Sequence, residues 1–237
     1  MINKHIVSGS ASYAIEDQQL SVGPTIRYAL KLSNKKCPKL AYIGTATGDS
    51  SFLVARFYNA CVNENVQPSH LELFPMPNHN DIEKYLLSQD VIWVGGGSVA
   101  NLLYVWKLHG IDRILRKAWE NGVILAGVSA GSICWYVGGT TDSFGRNLKP
   151  ITDSLGLLPY SNGVHYDNEI QRRPLFQKLI KDEILPEGYA TDDGVSLHFI
   201  DEKLHKAITD TPNKNAYHVY VKNGKLVEDT IKPVHIS

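Results

Sequence analysis

The stretch Val123-Ile124-Leu125-Ala126-Gly127-Val128-Ser129-Ala130-Gly131 sets the reading of this chain. An apolar run of strand character leads into a serine set between two glycines, and a helix-length segment, 132–137, follows. A strand that bends at once into a helix pushes the middle side chain outward, and glycines remove the side chains that would collide at the bend. Ser129 then stands at a helix N-terminus, where free N–H groups and the dipole favour negative charge. A hydroxyl there can act as a nucleophile, with donors waiting for the oxyanion it creates. The same pattern also fits a tight turn whose serine merely caps the helix, so partners elsewhere have to decide the chemistry.

Outward from this elbow, short apolar runs alternate with helix-length amphipathic stretches, the pattern of a βαβ sheet. Strands are predicted at 5–8, 39–44, 70–74, 90–94 and 123–128. Helices are predicted at 24–32, with Pro24 near the first turn, and at 51–63, 81–88 with Asn80 as its cap, 99–108 and 111–121. After Gly138-Gly139 the pattern loosens, and 142–168 reads as a long loop region with short elements. A helix over 174–184 and strands at 188–191, 195–200 and 207–210 follow. The clearest hairpin signal is Lys222-Asn223-Gly224-Lys225, between a strand at 218–221 and a returning strand from Leu226. No repeat, low-complexity tract or linker interrupts the chain, which suits one domain.

The composition narrows the function classes. Lys+Arg and Asp+Glu balance at 24 each, and no basic run appears, so nucleic acid is excluded as a partner. Three cysteines (Cys37, Cys61, Cys134) show no metal-ligand spacing and read as reduced thiols of a cytoplasmic protein. The N-terminus lacks the long apolar region of a signal peptide. Residues 121–141 carry no charge and are long enough to span a bilayer. Five glycines and the elbow break that run, so a buried strand followed by a buried helix is the expectation, with no membrane partner.

A serine nucleophile needs a base, and the base needs an orienting group. Of nine histidines, His165 in Asn162-Gly163-Val164-His165-Tyr166-Asp167 has the best setting, a polar, turn-rich stretch downstream of the serine. His198 lies in a strand-like run and reads as structural. Candidate carboxylates are Asp192 and Asp193 in Thr191-Asp192-Asp193-Gly194, and Asp167 is a rival. Val94-Gly95-Gly96-Gly97-Ser98 has neither phosphate-loop nor GxGxxG spacing. It offers backbone N–H donors close to the serine, since loops at the carboxyl ends of strands converge at a switch point.

With these residues in hand, the chain resembles the serine peptidase family of dipeptidase E (aspartyl dipeptidase) and cyanophycinase, within the class I glutamine amidotransferase-like superfamily. The resemblance runs from Lys39 to about Phe199 and rests on Gly95-Gly96-Gly97-Ser98 with its following helix and on Gly127-Val128-Ser129-Ala130-Gly131-Ser132. The order serine, histidine, acid also fits; α/β-hydrolases place the histidine last. By resemblance Ser129 is the nucleophile, His165 the general base and Asp193 the orienting acid, where the family often carries Glu. The oxyanion donors map to Gly96 or Gly97 and to Ala130. Asp142 matches an acidic position implicated in the active site, and Ser98 falls in the same substrate-binding region. Arg172 and Arg173 either bind a substrate carboxylate or form a solvated helix start.

The resulting expectation is a three-layer α/β fold: a mostly parallel, flavodoxin-like sheet with an antiparallel C-terminal hairpin, forming one peptidase domain over 1–237. The expected activity is a serine-type hydrolase cleaving dipeptides or short peptides through an acyl-enzyme, without metal or organic cofactor, as monomer or homodimer. The alternatives are a cyanophycinase-like or ester hydrolase, or a non-catalytic binding module. Glutamine amidotransferase chemistry relies on cysteine at the elbow, and Cys134, five residues on, cannot substitute.

Overall fold

The parallel strands bury residues on both faces, which is why they read as unbroken apolar runs. The computed structural model describes residues 3–11, 13–16 and 19–236. Five parallel strands, β1 (His5–Gly9), β4 (Lys39–Ile43), β5 (Gln67–Leu71), β6 (Val91–Val94) and β7 (Ile124–Val128), lie in the order β1-β7-β6-β4-β5. Neighbouring residues of one strand go to opposite cores. Ile6, Ala41, Ile92 and Leu125 join one cluster, and Val7, Tyr42, Trp93 and Ala126 join the other. This is the alternation that pleating imposes when helices cover both faces.

Helices α1 (Gly23–Leu32) and α2 (Ser51–Cys61) cover one face through Ile26, Ala29, Phe57 and Ala60. Helices α3 (Ile82–Leu87), α4 (Val99–His109) and α5 (Ile111–Glu120) cover the other through Leu86, Leu102, Trp106, Leu115 and Ala118. Asp81, not Asn80, caps α3, its carboxylate accepting the Lys84 N–H. A short hairpin, β2 (Ala14–Glu16) with β3 (Gln19–Ser21), precedes α1.

Beyond β1 the sheet turns mixed. Strand β12 (Val195–Ile200) pairs antiparallel with β1, β13 (Lys203–Thr209) pairs antiparallel with β12, and β16 (Val234–His235) pairs parallel with β13. The other strands build a second, six-stranded sheet in the order β15-β14-β11-β10-β8-β9. It comprises β8 (Tyr136–Thr141), β9 (Lys149–Ile151), β10 (Leu158–Gly163), β11 (Gly188–Thr191), β14 (Ala216–Lys222) and β15 (Lys225–Ile231). The expected C-terminal hairpin, β14–β15 around Asn223-Gly224, therefore extends this second sheet and not the central one. Helix α7 (Arg172–Lys181) packs Phe176, Leu179 and Ile180 against Tyr166, Tyr217 and Val219 of this region.

The segment after the elbow departs most from expectation. Helix α6 (Ala130–Ile133) is a single turn, and β8 replaces the helix expected over 132–137. The carbonyls of Cys134, Trp135 and Tyr136 accept N–H groups from 155–158, so they are lost to any further helix. Trp135 and Tyr136 are drawn into the core. The supposed loop at 142–168 contains β9 and β10, and α7 starts two residues before its expected start and ends three early. Among the described residues no helix is long and apolar enough to cross a membrane.

Candidate active site

Strand β7 ends at an elbow that glycine alone permits. A Cβ on Gly127 would lie 2.1 Å from the Gly131 carbonyl oxygen, and one on Gly131 would lie 2.2 Å from the Val94 carbonyl oxygen. Ser129 itself adopts φ 56° and ψ −115°, a region that L-residues avoid unless the surroundings enforce it. Its N–H donates to the Gly9 carbonyl at 3.0 Å, which fixes the bend to the end of β1. The Ser129 side chain is half-buried, and its Oγ has no hydrogen-bond partner among the described residues.

Gly96 lies directly against the serine: a Cβ there would be 3.2 Å from Ser129 Cβ and 3.7 Å from Oγ. Gly97 takes φ +135°, and a side chain there would strike the Ala46 carbonyl. The N–H groups of Gly96, Gly97 and Ala130 have no acceptor among the described residues, which leaves them available to an oxyanion. Because α6 is one turn long, that electrophilic character resides in these N–H groups and not in a long-helix dipole.

His165 follows β10 with φ 53°. Its Nδ1 is 2.5 Å from Asp193 Oδ1, and its Nε2 carries no hydrogen bond among the described residues. The Asn168 amide donates to Asp193 Oδ2 at 2.9 Å, so both carboxylate oxygens are engaged. The two rival carboxylates do other work. Asp167 accepts the Asp193 N–H at 2.9 Å and pairs with Lys214. Burial raises the Asp167 carboxyl, but the Lys214 ammonium and the Asp193 N–H outweigh it and hold it below the ordinary range. Asp192 is buried, and its Oδ2 accepts from the Asn215 N–H and the Tyr217 hydroxyl. Desolvation pushes its carboxyl up. Neither touches His165, so both drop out as orienting acids.

Three expected substrate-binding side chains are committed elsewhere. Ser98 caps α4, its Oγ accepting the Asn101 N–H at 3.2 Å. Arg172 is 2% exposed, pairs with Glu169 and donates to the Thr140 carbonyl, so it is neither a ligand for substrate nor a solvated helix start. Arg173 pairs with Glu228 and lies over the rings of Tyr166 and Tyr217. Asp142 is exposed and lines a groove of about 680 Å³ with Arg146, Asn168 and Glu169. Arg146, which the sequence did not single out, makes no ion pair among the described residues. Asn168 was also missed, although it stands next to the His165-Tyr166-Asp167 run.

Cys134 is fully buried, and desolvation raises its thiol well above the usual range. Its Sγ–H donates to the Gly131 carbonyl at 3.3 Å, which leaves it no nucleophilic role. Among the described residues no group of three or more His, Cys, Asp or Glu side chains is arranged to hold a metal ion.

Comparison with known proteins identifies the family. The sequence pattern of peptidase family S51 matches residues 6–207. The chain is 41% identical over 225 residues to the Bacillus subtilis (strain 168) protein named "Uncharacterized peptidase YgaJ", covering 94% of each. It is 25% identical over 177 residues to Peptidase E of Shewanella denitrificans, covering 71% of this chain and 72% of that one. The fold superposes on the crystal structure of a peptidase from an acI-B1 Actinobacterium with a TM-score of 0.67 at 13% identity, covering 97% and 98% of the two chains. The chain belongs to peptidase family S51 and is a serine-type peptidase.

Proposed function

We propose that the chain cleaves dipeptides or short peptides through Ser129, His165 and Asp193. The observation that carries this reading is the 2.5 Å contact from His165 Nδ1 to Asp193 Oδ1, which leaves Nε2 free. An imidazole so held keeps its proton on Nδ1 and presents a basic Nε2. Ser129 Oγ attacks the scissile carbonyl and passes its proton to Nε2. The C–N bond breaks as Nε2 returns that proton to the leaving amine, and water then hydrolyses the acyl-enzyme by the same base. The N–H groups of Gly96 or Gly97 and of Ala130 hold the oxyanion.

The groove beside Asn168 supports the short-peptide substrate. It is lined by Arg146 and by the carboxylates Asp142 and Glu169, so it offers charges of both signs. A peptide a few residues long carries an ammonium and a carboxylate close together, and such a groove complements both.

Ser129→Ala should abolish turnover of a panel of dipeptides and short peptides, and abolish labelling by a fluorophosphonate, while far-UV circular dichroism stays that of the parent. Undiminished turnover by a folded Ser129→Ala protein rejects the reading. The same panel, extended to Asp-X dipeptides, β-aspartyl peptides and simple esters, identifies the preferred bond.

A further inference from the structure

Ser10, just past the carboxyl end of β1, takes no part in the chemistry above, yet it touches the segments that carry His165 and Asp193. It is 8% exposed. Its Oγ accepts the His165 N–H at 2.9 Å, lies 2.8 Å from Thr191 Oγ1, and reaches the Thr191 carbonyl at 3.2 Å. Its own N–H donates to the Val195 carbonyl at 2.8 Å, and its carbonyl accepts from Gly194 N–H at 3.3 Å. The segment that carries Asp193 is therefore gripped on both sides. The residue before it, Gly9, accepts the Ser129 N–H. Two consecutive residues thus anchor the backbones of serine, histidine and acid.

The Ser10 hydroxyl has one proton and two lone pairs. With the proton given to Thr191, a lone pair remains for His165 N–H. His165 sits at φ 53°, where a residue with a side chain stays only when its neighbours hold it. The hydroxyl supplies that hold from the rigid end of a central strand.

We propose that Ser10 is a positioning residue: its hydroxyl fixes the His165 backbone relative to Ser129 and so sets the approach of base to nucleophile. The proposal rests on the assignment of Ser129 and His165 above. A displacement of about 1 Å in a catalytic group can lower a rate by about 100-fold, and that is the loss expected in kcat for Ser10→Ala, with KM changed by no more than about threefold. The low-field proton resonance of His165 Nδ1–H, identified by its disappearance in Asp193→Asn, should broaden or move upfield in Ser10→Ala. Thr191→Val leaves the residue-191 carbonyl to take the Ser10 proton, so its kcat should stay within about threefold of the parent.

Parental kcat and an unmoved resonance in Ser10→Ala would overturn the proposal. So would an equal loss in Thr191→Val, which would reduce the hydroxyl pair to packing. Should Ser10→Ala not fold, Ser10→Cys keeps the volume with a weaker acceptor and must show the same split at smaller size; a folded Ser10→Cys protein with parental kcat and resonance is equally fatal. An active Ser129→Ala protein would overturn the hydrolytic reading and this proposal with it, whereas a dead Ser129→Ala protein beside an unmoved resonance and parental kcat in Ser10→Ala overturns this proposal alone.

Discussion

At the scale of single residues, three carboxylates crowd within 27 positions of sequence, and hydrogen bonding assigns each a different task. Asp193 takes His165, Asp167 takes the Asp193 N–H, and Asp192 takes Asn215 and Tyr217. Asp193→Asn keeps the shape but offers Nδ1 an amide, which favours the tautomer with the proton on Nε2 and removes the base. We expect kcat to fall by about 10⁴-fold. Asp192→Asn can still accept the Asn215 N–H and should keep kcat within about tenfold of the parent, its effect appearing in thermal stability. Steady-state kinetics on both variants decides; an equal loss would mean that the contact with His165 does not set Asp193 apart from Asp192. The sequence left these acids open because Asp-Asp-Gly is an ordinary acidic turn. What separates them is a contact from the 165–168 loop, which no local pattern encodes. Arg172 shows the same limit in reverse: a helix-start arginine reads as exposed, and a carbonyl of β8 with Glu169 makes it buried.

At the scale of elements, the elbow is a close approach of two backbones. A methyl on Gly131 would meet the Val94 carbonyl at 2.2 Å, and Val94 cannot yield without disturbing its pairing with Gly127 of β7. Gly131→Ala should cost about 3 kcal/mol of stability, read from denaturant unfolding. Gly96→Ala is a contrasting case, because its new methyl meets the Ser129 side chain at 3.2 Å and the nearest backbone atom, the Val128 carbonyl oxygen, only at 3.6 Å. It should cost about 1 kcal/mol or less while lowering kcat about 100-fold by crowding the hydroxyl and the oxyanion donors. Equal stabilities for the two variants would mean that the elbow is not held by that backbone contact. The parallel strands were legible because burial on both faces leaves an apolar run. Strand β5 was shifted, since its Gln67-Pro68-Ser69 start is polar and tolerable only at a sheet edge. Strand β8 was hidden by Gly138 and Gly139, which read as a breaker. They are there because a Cβ at either position would lie 2.1–2.2 Å from the carbonyls of Ile151 or Asn162. The second sheet as a whole depends on such long-range pairings.

At the scale of the whole molecule, the proposed active site bridges two sheets: Ser129 comes from the central sheet, and His165 and Asp193 follow strands of the second. The Asp167–Lys214 pair helps hold that junction, because it ties the His165 loop to the approach of β14, and the same carboxylate caps the Asp193 backbone. The folded Asp167 carboxyl titrates below its ordinary value. Its ionised form is therefore the one folding favours, and the stability it adds is complete above the unfolded carboxylate pKa of about 3.9 and fades as pH falls through the lower folded value. Both partners are partly exposed, so the increment is about 1 kcal/mol. Asp167→Asn should thus lower the unfolding midpoint by a constant amount between about pH 5 and 7, and the gap to the parent should close as the pH drops below about 4. Urea unfolding of both proteins across that range measures it. A gap that persists unchanged into strong acid would mean that the carboxylate's charge plays no part at this junction, while the absence of a gap at every pH would mean that the Asp193 N–H contact alone, which an amide oxygen also satisfies, holds the two sheets in register.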